Sequence, residues 1–179
     1  MNNRKPLSKW QNILLYACIS GGILFLYQGI MLAIRGPKPL EGHLGTLNFV
    51  FTTGILCFAM IKGTNRYRDD MLDGVMTYSK SYGHHFWICF LGSILSSLPN
   101  WIYNSFINDK YVREAFEQAL NGVSSTLDAD MTARFQAMSD NIFLTPWFSF
   151  LSLTISAAFT ALIISILTSL FSKTADNNN

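Results

Sequence analysis

Apolar residues run almost unbroken through four windows of this chain: Ile13–Ile34, Leu44–Ile61, Phe86–Ile107 and Trp147–Phe171. None of the four holds an Asp, Glu, Lys, Arg or His. A helix needs about 20 apolar residues to cross a hydrocarbon core of about 30 Å. The first, third and fourth windows meet that length, and Gly45–Leu47 extends the second into the interface. The pattern predicts an all-α protein, a four-helix transmembrane bundle with spans near 13–34, 44–61, 84–107 and 146–171. The first window follows Arg4, Lys5 and Lys9 but runs 22 residues with no small-x-small site before Arg35. A signal peptide has a shorter apolar region, so an uncleaved span is expected.

Between the windows the chain turns polar. Residues 1–12 form a basic lead with Trp10 as an interfacial anchor, and 172–179 a polar tail expected to be disordered. Gly36, Pro37 and Pro39 stop the first helix. The second is expected to end near Lys62-Gly63, with a turn at Asp73-Gly74 and a cap for the third helix at Thr77 or Ser79. Residues 108–145 predict two amphipathic helices. Val112, Phe116, Ala119 and Leu120 line the first, with Asn121-Gly122 as its stop, and Leu127, Met131, Phe135, Met138 and Ile142 line the second, capped by Ser125 or Thr126. These two are expected to form an extracytoplasmic hairpin between spans three and four. Thr145 followed by Pro146 marks the start of the last span.

Composition agrees with this picture. Half of the 179 residues are apolar and 13% are charged, against about 25% charged in a soluble domain. Lys and Arg set the expected orientation. Eight lie in the lead, the 62–85 segment and the tail; five lie on the other side, where residues 108–145 also carry six acids. The positive-inside rule puts both termini in the cytoplasm.

Candidate chemistry is sparse. The segment RYRDDMLDGVMTYSKSYGHHF, Arg66 to Phe86, concentrates Asp residues, cations and a His pair. His84 and His85 are adjacent, so on a helix they point about 100° apart and do not serve one metal in the i, i+4 manner. They are read as interfacial residues of a solvated segment. Cys18, Cys57 and Cys89 lie in separate spans without motif spacing and read as packing residues. No sequence motif points to a cofactor, a metal or nucleic acid. A polar stripe, Gln28, Asn48, Ser96, Asn100 and Tyr103, lies within the spans. It is read chiefly as interhelical glue and alternatively as a cavity lining. Pro99 removes a backbone donor in span three and predicts a kink. No ionisable Asp, Glu, Lys or Arg lies at depth, which disfavours a proton-coupled pump.

The segment IKGTNRYRDDMLDGVMTYSKSYG, the exit IYNSFINDKYVREAFE from span three, and LTPW before span four together resemble a bacterial family of four-span membrane proteins common in Bacteroidota and known as domain of unknown function 4199. The likeness covers about Ile13 to Phe171 and departs in having Asp73-Gly74 where many members have two glycines. The resemblance implies an integral inner-membrane protein without assigned activity and supplies no catalytic residues. It points to Arg66, Arg68, Asp69 and Asp70 as a cytoplasmic docking or packing cluster. The first functional expectation is a non-enzymatic scaffold or accessory subunit, in contact with the lipid bilayer and with a membrane-protein partner or further copies of itself. The second is a small transporter or oligomeric channel. The third is a lipid-modifying enzyme using His84, His85 and Asp70.

Overall fold

The computed structural model describes residues 6–36, 42–123, 128–139, 142 and 145–172. Among these the only regular elements are helices: α1 Lys9–Arg35, α2 Gly42–Met71, α3 Tyr78–Ile102, α4 Asp109–Val123, α5 Ala129–Met138 and α6 Pro146–Thr168. A π-helical turn, Tyr103–Ile107, continues α3, and a 3-10 turn, Ser169–Phe171, ends α6. Four of the helices are long and apolar enough to cross a membrane: α1, α2, α3 with its π turn, and α6 with its 3-10 turn. Most side chains in their apolar windows are open to the surroundings, as expected of helices whose solvent is hydrocarbon.

Local sequence explains most of the boundaries. Ser8 caps α1 through a reciprocal pair with Gln11, so the helix starts inside the basic lead rather than at Ile13. Gly36, at φ 72°, ends α1 and donates its N–H to the Leu32 carbonyl. Pro37 and Pro39, the other expected stops, lie outside the described residues, as do Arg4, Lys5, Lys38, the caps Ser125 and Thr126, Leu127, and 173–179 of the expected disordered tail. Thr145 accepts from the Phe148 N–H with Pro146 in the first turn, as the LTPW pattern predicts. The α2–α3 turn is made where expected, by Asp73 (φ 49°) and Gly74 (φ 81°).

Two expectations need correction, and a third is not shown. Lys62-Gly63 does not end α2; the helix continues to Met71, supported by the i, i+4 pair Arg66–Asp70. Asn121-Gly122 does not stop α4 in a left-handed turn; both residues lie inside the helix. The expected hairpin is not seen as a packed unit. Among the described residues α4 packs on the π turn, no extensive contact joins it to α5, and Met131, Phe135, Met138 and Ile142 stay exposed.

Pro99 lies inside α3, and the π turn follows within one turn of helix, the Asn108 N–H reaching back to the Tyr103 carbonyl. Pro99 has no N–H to give the Leu95 carbonyl, while the Tyr103 N–H still reaches back to the Pro99 carbonyl. The core comprises Ile13, Leu24, Leu56, Ala59, Met60, Ile88, Cys89 and Ala161. Its most extensive crossing is α1 on α3, where small residues let the backbones approach. A Cβ on Gly21 would stand 2.8 Å from Leu95 Cβ and 2.9 Å from the Gly92 carbonyl oxygen. A Cβ on Gly92 would stand 3.0 Å from Ser20 Oγ and 3.1 Å from Leu56 Cδ2. Gly63 performs the same service between α2 and α1, its missing Cβ replaced by the Tyr16 ring at 2.8 Å.

These gaps give a graded expectation. Gly21→Val overpacks the crossing and should cost about 1–3 kcal/mol, lowering the midpoint of thermal unfolding in mild detergent. Gly22→Val, one residue on and with open space around it, should leave the midpoint within a degree or two. Equal midpoints for the two variants would refute the close crossing.

Candidate functional site

Polar side chains gather in two places, one at the end of the bundle that carries the α2–α3 turn and one in the opposite half.

At the turn end the His pair is not solvated. Both rings are wholly buried, correcting the sequence expectation of interfacial histidines. Residues 84 and 85 lie on α3 about 100° apart, and each faces a different helix. His84 Nδ1 meets Thr64 Oγ1 of α2 at 2.9 Å, and its ring stacks on Tyr67, 4.9 Å between centroids. His85 faces the end of α6: Nδ1 lies 2.8 Å from Thr168 Oγ1 and Nε2 lies 3.1 Å from Ser172 Oγ. The Thr168 hydroxyl also lies 2.9 Å from the Ile164 carbonyl and 3.9 Å from Met60 Sδ, and the direction of its bond with His85 is set by the imidazole tautomer. The Ser172 carbonyl in turn accepts from Arg68 Nη1 at 3.3 Å. Two further bonds close the seam between α3 and α6, Ser81 Oγ to the Ser169 carbonyl and Tyr78 Oη to the Ile166 carbonyl.

Beside this seam lies a cleft of about 670 Å³ lined by Tyr16 of α1 and by Lys62, Asn65, Arg66, Arg68, Asp69 and Asp70 of α2. All four residues of the expected docking cluster therefore meet at one place. Arg66 Nε pairs with Asp70 at 3.3 Å and Arg68 Nε with Asp69 at 2.8 Å. The histidines do not join them. Asp70 is bonded to Arg66 while the imidazoles are sealed among α2, α3 and α6, so the trio expected for lipid chemistry is not assembled. Among the described residues no three His, Cys, Asp or Glu side chains converge as metal ligands.

In the opposite half the intramembrane stripe divides. Gln28 and Ser96 line an inner chamber of about 270 Å³, with Thr52, Thr53, Ser93 and Thr160 among its other polar walls. Asn100 lines an outer groove of about 480 Å³ between α3 and α6, with Asn104, Ser105, Ser149 and Ser152. Ser97, Leu153 and Ser156 border both, so the two spaces adjoin. Trp101 stands at the outer groove, its indole N–H donating to the Pro146 carbonyl at 3.1 Å. Asn48 lines neither space; its Oδ1 accepts from Tyr27 Oη at 2.9 Å and ties α1 to α2. Tyr103 lines neither and opens the π turn.

Sequence reading missed Thr64, Thr168 and Ser172 as imidazole partners. Each is a lone hydroxyl residue that becomes informative only once helix neighbours are known. It also missed Ser8 and Gln11, although Ser-x-x-Gln before an apolar run is a legible capping signal.

His85→Leu removes the buried ring partner of Thr168 and of Ser172 at once. It should cost about 1–3 kcal/mol, read as a lower unfolding midpoint in detergent. Lys80→Ala, on an exposed position of the same helix, should be neutral. A His85→Leu protein as stable as the parent would remove the seam from the account.

No curated protein and no solved structure matches the chain. The family model described as "Protein of unknown function (DUF4199)" matches residues 15–174. Nearly the whole chain, including most of α1, the other three long apolar helices, the His84–His85 seam and both polar spaces, falls within that match, and the protein belongs to this family.

Proposed function

We propose that the protein is a multi-pass component of a bacterial inner membrane, both termini cytoplasmic, acting as a non-enzymatic scaffold or accessory subunit. Its α3–α6 groove receives a transmembrane helix of a partner protein. One observation carries this reading. Among the described residues the side chains of Asn100, Ser149, Ser152 and Ser156 find no hydrogen-bond partner, yet they border a groove on the outside of the bundle. Ser152 and Ser156 stand about 10 and 16 Å along the helix axis from the Thr145 cap. That depth is inside a hydrocarbon layer about 30 Å thick. Acyl chains offer no hydrogen bonds, so uncovered hydroxyls and amides there are better met by another helix. The small side chains at Ser149, Ser152 and Ser156 let such a helix approach closely and bond across the contact. Excess Lys and Arg on the turn side supports the cytoplasmic placement of the termini.

A photo-crosslinking residue at position 152, activated in native membranes, should yield one discrete protein adduct. The same probe at Phe159, an exposed lipid-facing position of α6, should yield none. Lipid adducts alone at both positions, or an adduct only with a second copy of this chain, would overturn the partner-helix reading.

The adjoining inner chamber favours a second reading, passage of a small uncharged solute. Liposomes holding the protein should then leak such a solute, with the rate cut severalfold by Asn100→Ala and by Gln28→Ala. Flux equal to that of empty liposomes removes this reading.

A further inference from the structure

We propose that the cleft at the turn end binds the headgroup of a zwitterionic aminophospholipid, holding its phosphate on cations and its primary ammonium on oxygen acceptors. This does not depend on the accessory role above. Three observations converge on it. The first is place. Lys62 follows directly on the apolar run that ends at Ile61, while α2 continues for nine more residues as a polar helix to Met71. A cleft opening at that boundary lies in the headgroup layer, where basic side chains meet lipid phosphate. Its volume of about 670 Å³ is within the range of sites for small ligands.

The second is the balance of charge. The lining carries Lys62, Arg66 and Arg68 against Asp69 and Asp70. The two Arg–Asp pairs neutralise each other, and among the described residues Lys62, exposed at the rim, has no partner. Arg66 reaches Asp70 through Nε alone, and the Tyr16 hydroxyl lies beside it. An ammonium and guanidinium donors together suit a phosphodiester. The third is spare acceptor capacity: Asp69 and Asp70 each use one carboxylate oxygen on an arginine and keep the other. Asp69 and Asp70, charged acceptors in the same lining, suit a cation with N–H hydrogens. A lining made only for an anion would not hold two carboxylates; a zwitterion uses both halves.

The test is native mass spectrometry of the full-length protein in detergent, titrated with phosphatidylethanolamine, phosphatidylcholine or phosphatidylglycerol of matched chains. Phosphatidylethanolamine should bind at least about tenfold more tightly than phosphatidylcholine, which has the same phosphate but no N–H donor; tenfold corresponds to about 1.4 kcal/mol. Lys62→Ala should lower phosphatidylethanolamine binding several-fold, and Asp70→Asn should shrink the preference over phosphatidylcholine. Lys80→Ala, an exposed cation outside the cleft, should change neither. Circular dichroism and unfolding midpoints matching the parent keep these comparisons valid, and the exposed Lys62 variant does not disturb packing. Equal binding of phosphatidylethanolamine and phosphatidylcholine would overturn the proposal. Tighter binding of phosphatidylglycerol would overturn it too, as would equal losses in Lys62→Ala and Lys80→Ala. Displacement of lipid by millimolar inorganic phosphate would assign the cleft to a soluble anion.

Discussion

Lipid gives two helices no hydrophobic reason to meet, so the bundle rests on how closely α1 and α3 can approach. Gly21 and Gly92 leave room for backbone against backbone, with Ala17 and Ser20 beside them. Dispersion between closely fitted surfaces is the force available there. The other contacts are arranged around that crossing. Tyr16 seats on Gly63 and brings α2 against α1, while α6 packs on the far side of α3. The polar seam at the turn end then fixes the rotation of α3. Its two histidines satisfy hydroxyls on α2 and α6 at once, and such bonds form only at one rotational setting.

The four long helices were legible because hydrocarbon excludes charge, and that exclusion leaves long uninterrupted windows in the sequence. The end of α2 was not legible in the same way. Charged residues after Ile61 mark where the apolar window stops, which is not where the helix stops. The two differ because Arg66 and Asp70 sit four apart and support further turns in water. Gly63 misled for a related reason: a glycine at a polar boundary looks like a stop, but here it makes space for the Tyr16 ring.

The candidate sites were legible in part. Geometry along one helix placed His84 and His85 on different faces, and the structure uses that divergence to reach two neighbours. Their burial was hidden because sequence gives the faces of α3 but not which helices lie opposite them. The cluster Arg66, Arg68, Asp69 and Asp70 was recognisable as a local run, whereas Tyr16, fifty residues earlier, was not. The intramembrane stripe divided for the same reason. Gln28, Ser96 and Asn100 border adjoining spaces, but Asn48 is consumed by the Tyr27 hydroxyl, a pairing across two helices that no spacing rule announces.

The pairing of α1 with α3 has a consequence for how the protein is made. Consecutive helices usually meet first, but here the tightest crossing skips one, and α1 meets α2 less extensively than it meets α3. A ribosome that has delivered only the first two spans has delivered a hairpin without its principal contact. Gly21 stays uncovered until Gly92 has passed into the bilayer, and the short connection at Asp73-Gly74 brings that moment forward. Early in translation the growing chain is therefore sheltered by lipid and the insertion machinery, and the bundle locks on arrival of the third span.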